Sequence, residues 1–477
     1  MDNKKFVMDA VDRHRDLIVD VSDQIFGFAE TGFHEFKTAK LYEQVLKEQG
    51  FDVQMDIDGM PTAFKAVYGK GHPVIAFLAE YDALPELSQK GGCTERVPVE
   101  GENPDGHGCG HNLLGAGTFA AALAAKEYLK ESGKEGTVIL FGCPSEEKGN
   151  SKTLMARDGV FDGVDVAFTW HPADLNVVVT ASTLANVSVF FRFKGVTSHA
   201  AAAPDKGRSA LDAAELMSVG VNYLREHIIS DARVHYAYRD VGGIAPNVVQ
   251  GHSCVHYFVR APKSYQVQEI LKRVIDVAEG AAKMTGTEMS YELYAGLSDF
   301  IPNHVVSEVL QDAFDEIGAP VYDDKDYELA RKFFYDSYSE DEVEAKKAAM
   351  KKRYGAAAEV LFEKPIHSSI IPLRWDLPIQ YGSSDVGDAS YVMPTAWLST
   401  ATATIGTPSH TWQMTAHGTT EMAHKAMLRA GEVLALAATK FIDDPSLAEK
   451  AKEELKEETG GKYECPIPKE IGPRLDE

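Results

Sequence analysis

Residues 106–111 read Gly-His-Gly-Cys-Gly-His and set a thiol, Cys109, two positions before an imidazole, His111. A soft thiolate and an imidazole at that spacing suit a transition metal such as zinc. The interleaved glycines let the backbone fold tightly around an ion. The same hexapeptide also reads as a glycine-rich turn holding a buried cysteine and a capping histidine, and alone it leaves both open. Glu146 and Glu147 follow directly on the apolar run TVILFG at 137–142. Adjacent carboxylates diverge, so one can bind metal while the other serves as general base on the metal's water. His171 follows DVAFTW at 165–170, and His410 sits in the turn-rich stretch GTPSHTW. Paired glutamates are usually solvated and histidines at strand ends usually structural, so each is weak evidence by itself. Donors following successive apolar runs are harder to dismiss together.

Positioning them requires strands. VIAFLA at 74–79, TVILFG and DVAFTW alternate with helical stretches such as LLGAGTFAAALAAKEYLK, the pattern of an α/β layer structure with buried strands. Ligands bind at the carboxyl ends of such strands, where Glu146, Glu147 and His171 fall. Two helices are predicted before Gly50, from Leu17, Val21 and Phe28 and then from Leu41, Val45 and Leu46. From 187 the period changes to two, with Val187, Val189, Phe191 and Phe193 on one face. Helices near 208–227 and 264–284 and strands near 233–240, 253–260 and 287–295 complete a β-α-β-β-α-β order. This predicts an inserted domain at 187–296 within a discontinuous one formed by 1–186 and 297–477. Strand-like AWLSTATAT and a helix near 417–440 return to the first sheet. The segment 322–364, rich in Asp, Glu and Lys, is predicted to be a solvated surface excursion.

At 477 residues the chain is long enough for two or three domains. Lysine and arginine number 48 against 72 aspartates and glutamates, a net charge of −24 that repels phosphate backbones and anionic lipid surfaces. Nucleic acid and membrane partners are therefore not expected. Five scattered cysteines do not form a disulfide framework, and the N-terminal stretch lacks the apolar core of a signal peptide. A reducing, cytoplasmic setting is expected.

The motifs AEYDALPELSQKGG, GHGCGHNLLG, PSEEKG, TWHP, SHAAAAPDKGRSALDA, GGIAPNVV and GTPSHTW, in that order, resemble the metal-dependent amidohydrolases of the M20 peptidase type. That family includes aminoacylases, hippurate hydrolases and glutamate carboxypeptidases. The resemblance implies a mixed-sheet, zinc-peptidase-like catalytic domain with a ferredoxin-like lid. It implies one or two divalent ions, zinc or manganese, with Cys109 in place of the family's bridging aspartate and His111, Glu147, His171 and His410 as further ligands. Glu146 becomes the general base. The usual His-x-Asp is Glu80-Tyr81-Asp82 here, so Asp82 survives while the first histidine ligand is missing, and His111 is the candidate to fill that place. His199 matches a lid residue that reaches a partner's active site, which implies a homodimer through the lid, or a hetero-dimer with a related protein. Asn247 and Arg260 match positions that hold a substrate carboxylate, for which a planar guanidinium is suited. The implied reaction is hydrolysis of an amide between an acyl or aroyl group and an amino acid, p-aminobenzoyl-glutamate among them. Three alternatives stay open: a dipeptidase for substrates ending in a basic residue, a non-catalytic partner in a hetero-dimeric hydrolase, and a thiol hydrolase with Cys109 as nucleophile.

Overall fold

The computed structural model describes residues 2–101, 103–355 and 358–475. Seven strands form one sheet: β1 (Asp52–Ile57), β2 (Met60–Lys70), β3 (Val74–Ala79), β4 (Gly136–Gly142), β5 (Val166–Ala173), β6 (Val177–Val179) and β11 (Thr395–Ala401), in the order β1-β2-β4-β3-β5-β11-β6. Its centre, β4-β3-β5-β11, is parallel. β1 pairs antiparallel to β2, β2 antiparallel to β4, and β6 antiparallel to β11, so the sheet is mixed. The central strands are apolar on both faces because helices cover both. On one face, helix His111–Ser132 packs its Ala120–Ala125 stretch against helix Glu421–Asp443, whose small residues allow a close approach. Gly431 marks that approach: a Cβ there would lie 2.6 Å from the Cβ of Ala120.

Three helices, not two, precede Gly50: Asn3–Arg13, Arg15–Phe28 and Phe36–Glu48. The extra one comes from Val7, Ala10 and Val11, which are buried on one side of a highly charged segment. The antiparallel β1–β2 hairpin is also additional to the expected elements, because its apolar residues do not form a continuous run.

A second sheet runs β10-β7-β9-β8, from β7 (Ala185–Lys194), β8 (Arg233–Asp240), β9 (His252–Ala261) and β10 (Glu288–Leu297), all antiparallel. Helices Ala210–Leu224 and Ser264–Thr285 cover the face that carries Val187, Val189, Phe191 and Phe193, giving it a core of its own. Side chains alternate across a strand, so Asn186 and Ser188 of β7 fall on the opposite face with Phe258 and Arg260 of β9, paired as Asn186 with Arg260 and Ser188 with Phe258. That face is turned to the large cavity described below.

The charged excursion folds as helices Asp324–Ser337, Glu340–Tyr354 and Ala358–Leu361. It is solvated only on its outer side, which corrects the expectation. Phe334, Tyr354 and Leu361 join Leu175, Ile371 and Ile405 in a small core, and Phe333 joins a second one. No helix among the described residues is long and apolar enough to cross a membrane.

Candidate metal centre

The parallel strands bring three donor segments to one edge of the sheet. Glu80 and Asp82 leave β3, Glu146 and Glu147 leave β4, and His171 lies near the end of β5, opposite Ser399 of β11. The hexapeptide arrives from a different direction, closing the loop before helix His111–Ser132. Its glycines are required there. A Cβ on Gly106 would stand 2.2 Å from the Leu87 carbonyl oxygen, and Gly110 adopts φ 76° as it caps the helix. Ser145, just before the glutamate pair, and His410 are non-glycine residues held at φ 56° and 60°. Left-handed backbone of this kind concentrates at functional sites.

Two donor groups share Cys109. The first is Cys109, His111 and His171; the second is Cys109, Glu147 and His410; within each, the ligand atoms lie within 4.8 Å of one another. Cys109 Sγ is 3.4 Å from His171 Nε2, and His410 Nε2 is 3.2 Å from Glu147 Oε1. The remaining nitrogen of His171 faces the Pro172 carbonyl at 2.8 Å, which commits Nε2 to the cluster. His111 is fully buried and its Nε2 makes no hydrogen bond among the described residues; Glu80 Oε2 lies 3.3 Å away. A buried imidazole nitrogen left without a hydrogen bond, beside a thiol, a second imidazole and a carboxylate, fits a divalent transition metal. The shared thiol fits a bridge between two.

Electrostatics point the same way. Burial pushes the Cys109 thiol far up, with Glu147 adding to the effect, so the sulfur needs a cation to become a thiolate. Burial alone would lower His111, yet Cys109 and Asp82 hold it well above the usual imidazole range. Burial likewise opposes ionisation of Glu147, but its contact with His410 and the His111 charge keep it below the ordinary carboxylate value. Glu146 differs from its neighbour: burial, followed by the charges of Glu80, Glu147 and Asp385, raises it well above that value. One glutamate poised to ligate and one poised to carry a proton is the division of labour that acid–base chemistry needs.

Behind the donors lies a layer of buried charge that sequence reasoning missed. Glu80 Oε1 is 2.9 Å from Lys152 Nζ, which in turn lies 2.5 Å from Asp385 Oδ1, all with side chains at most 3% exposed. Lys152 comes from helix Ser151–Arg157 and Asp385 from just before helix Val386–Val392, too far apart in sequence for any spacing rule to join them. In the sequence Glu80 stands out only as the residue in the missing histidine's place.

Cys109, Glu146, Glu147, His171 and His410 open onto a cavity of about 790 Å³, whose wall also carries Arg260. Arg260 Nη1 donates to Ser383 Oγ at 2.9 Å. His199 and Asn247 lie elsewhere, exposed on a loop region of the second sheet where the Ala200 N–H donates to the Asn247 carbonyl at 2.9 Å. Neither is part of the cavity wall within this chain.

Residues 76–470 match the family model described as peptidase family M20/M25/M40, and the chain belongs to that family. It is 41% identical to a p-aminobenzoyl-glutamate hydrolase subunit of Escherichia coli (strain K12), over 98% of each chain. It is 30% identical to Xaa-Arg dipeptidase of Mus musculus over 83% of this chain and 78% of the other. Among solved structures, a dinuclear metal-binding M20 peptidase from Bacillus subtilis superposes with a TM-score of 0.57 at 17% identity, over 91% of this chain and 99% of that one. The chain is a metal-dependent amidohydrolase by this membership.

Proposed function

We propose that the chain hydrolyses the amide between an acyl or aroyl group and an amino acid, with p-aminobenzoyl-glutamate-like compounds as its substrates. The observation that carries this reading is the pair of donor groups meeting at Cys109, with Glu146 and Arg260 on the same cavity wall. The 41% identity to a p-aminobenzoyl-glutamate hydrolase subunit along the whole chain supports the substrate class.

Cys109, His111, Glu147, His171 and His410 would hold one or two divalent ions, zinc or manganese. Such ions supply Lewis-acid polarisation of the scissile carbonyl and acidify water from a pKa of about 15.7 to roughly 7. Glu146 takes a proton from the attacking water and delivers it to the departing amine nitrogen. Asp82 orients His111 and, through the Glu147 N–H, the ligand glutamate. Arg260 pairs with the α-carboxylate of the amino-acid half, with Asn247 assisting from a partner protomer. The exposure of His199 supports a role at the partner's active site, so the working unit is a homodimer through residues 187–296 or a hetero-dimer with a related protein. All five cysteines are free, which supports a reducing, cytoplasmic setting.

A dipeptidase for substrates ending in a basic residue is the second reading, supported by the similarity to Xaa-Arg dipeptidase. Hydrolysis by the purified chain, loaded with zinc or manganese, of p-aminobenzoyl-glutamate, N-acetyl-amino acids and dipeptides ending in lysine or arginine separates the two. Preference for the aroyl- and acyl-amino acids is expected. Turnover confined to the basic dipeptides would overturn the first reading, and so would a purified chain that binds no metal and hydrolyses nothing until a second protein is added, which marks it as a non-catalytic partner.

A further inference from the structure

The charged excursion reaches the catalytic cavity. Met350, Arg353 and Tyr354, at the end of helix Glu340–Tyr354, line the same space as Cys109, His171 and His410. Arg353 is only partly exposed, its guanidinium lies 5.5 Å from the Tyr354 ring centroid, and its Nε is buried without a hydrogen-bond partner among the described residues. A buried guanidinium donor left unpaired is costly unless something else satisfies it. The buried carboxylate of Asp174, on the same cavity wall, feels the Arg353 charge, but its Oδ2 accepts the Gly406 N–H at 2.7 Å and no hydrogen bond reaches Arg353 Nε among the described residues. Lys346 adds a second positive charge to that neighbourhood, where its Nζ donates to the Gly406 carbonyl. The cavity thus keeps two guanidinium groups, Arg260 and Arg353, in a chain whose net charge is −24.

We propose that Arg353 reads a second carboxylate on the substrate, so that the amino-acid half taken by this cavity is acidic, glutamate or aspartate. This rests on the acyl-amino-acid reading above and deepens it: Arg260 holds the α-carboxylate and Arg353 the side-chain carboxylate. A guanidinium is suited to the task because its planar fork meets a carboxylate with two parallel N–H donors. A cavity of about 790 Å³ has room for an aroyl-glutamate. A neutral side chain would leave Arg353 unpaired again, and discrimination of this kind is large because the site, not the ligand, bears the loss. A basic side chain would meet the like charge of Arg353 on the cavity wall.

The test uses the full-length, metal-loaded enzyme and measures kcat and KM for p-aminobenzoyl-glutamate and its neutral isostere p-aminobenzoyl-glutamine, with a dipeptide ending in lysine as third substrate. The wild type is expected to favour glutamate over glutamine. R353Q is expected to shrink that ratio by about 10- to 100-fold, the size of a lost charge-assisted hydrogen-bond pair, chiefly through KM for the glutamate compound. R353K, which keeps the charge and loses the fork, should fall between the two. A ratio unchanged in R353Q overturns the proposal, and so does parallel loss on both aroyl substrates with a lowered melting temperature, which marks Arg353 as a structural residue. Wild-type enzyme that ignores both aroyl substrates and cleaves the lysine dipeptide overturns the underlying function reading instead.

Discussion

Nδ1 of His111 lies 2.9 Å from Oδ1 of Asp82, while the other oxygen of Asp82 accepts the backbone N–H of Glu147 at 3.0 Å. One fully buried carboxylate therefore aims an imidazole and places a glutamate, two candidate ligands from different elements. Ligating histidines depend on such outer partners for tautomer and orientation. In D82N one acceptor becomes an NH2 donor facing either the Glu147 N–H or the His111 ring N–H. Metal affinity should fall by about 10- to 100-fold, read by competition against a chromogenic chelator. Affinity equal to wild type would remove Asp82 from any positioning role.

Glu146 can be separated from the ligands because it is the glutamate whose carboxyl is raised rather than lowered. E146Q keeps the side chain's shape and removes its ability to accept and return a proton. Metal content should stay at the wild-type level while kcat drops by about 100- to 10,000-fold. Elemental analysis and steady-state kinetics on one preparation settle it, and a near-normal rate would sink the assignment.

The thiol-hydrolase alternative makes an opposite prediction about chelation. A thiol hydrolase needs the Cys109 sulfur free to attack the carbonyl, whereas the ligand reading ties that sulfur to the ion. Treatment with a strong chelator should abolish turnover, and zinc or manganese should restore it. It should also lower the melting temperature, since an ion at 100 times its Kd contributes about 2.7 kcal/mol. Activity that survives chelation but not thiol alkylation would put Cys109 back as nucleophile.

Much of the candidate site was legible because its donors follow buried strands. TVILFG and DVAFTW are continuous apolar runs, and in a parallel sheet such runs end where ligands bind. The alternation through Val187, Val189, Phe191 and Phe193 was legible for a similar reason, since one face is covered by helices. The Glu80–Lys152–Asp385 layer was not, because buried ion pairs are built from residues whose types look like surface. Arg353 was hidden by composition. In KKAAMKKRYG the charges outnumber Met350 and Tyr354, so the helix reads as solvated, and only packing against Leu175 and Ile371 reveals its inner side.

The pH dependence of stability should be set in part by buried neutral histidines away from the metal centre. The Asn176 N–H donates to His367 Nδ1 at 3.0 Å, so the proton is on Nε2, which meets Ser369 Oγ at 2.9 Å. His417 stacks on Phe333 with centroids 4.0 Å apart and faces the Gln413 carbonyl through Nδ1 at 2.7 Å. Burial lowers both from the ordinary 6.5 to about 4. The unfolded chain therefore binds more protons than the folded one between those values. Stability is fully present above pH 6.5 and is lost as pH falls toward 4, by about 3 kcal/mol per histidine. H367N retains an acceptor for the Asn176 N–H but cannot take up the proton. Its urea midpoint should fall less steeply between pH 6.5 and 4 than the wild type's, by close to one proton in slope, even if it starts lower at pH 7. Parallel curves for the two proteins would mean that His367 titrates no differently when folded.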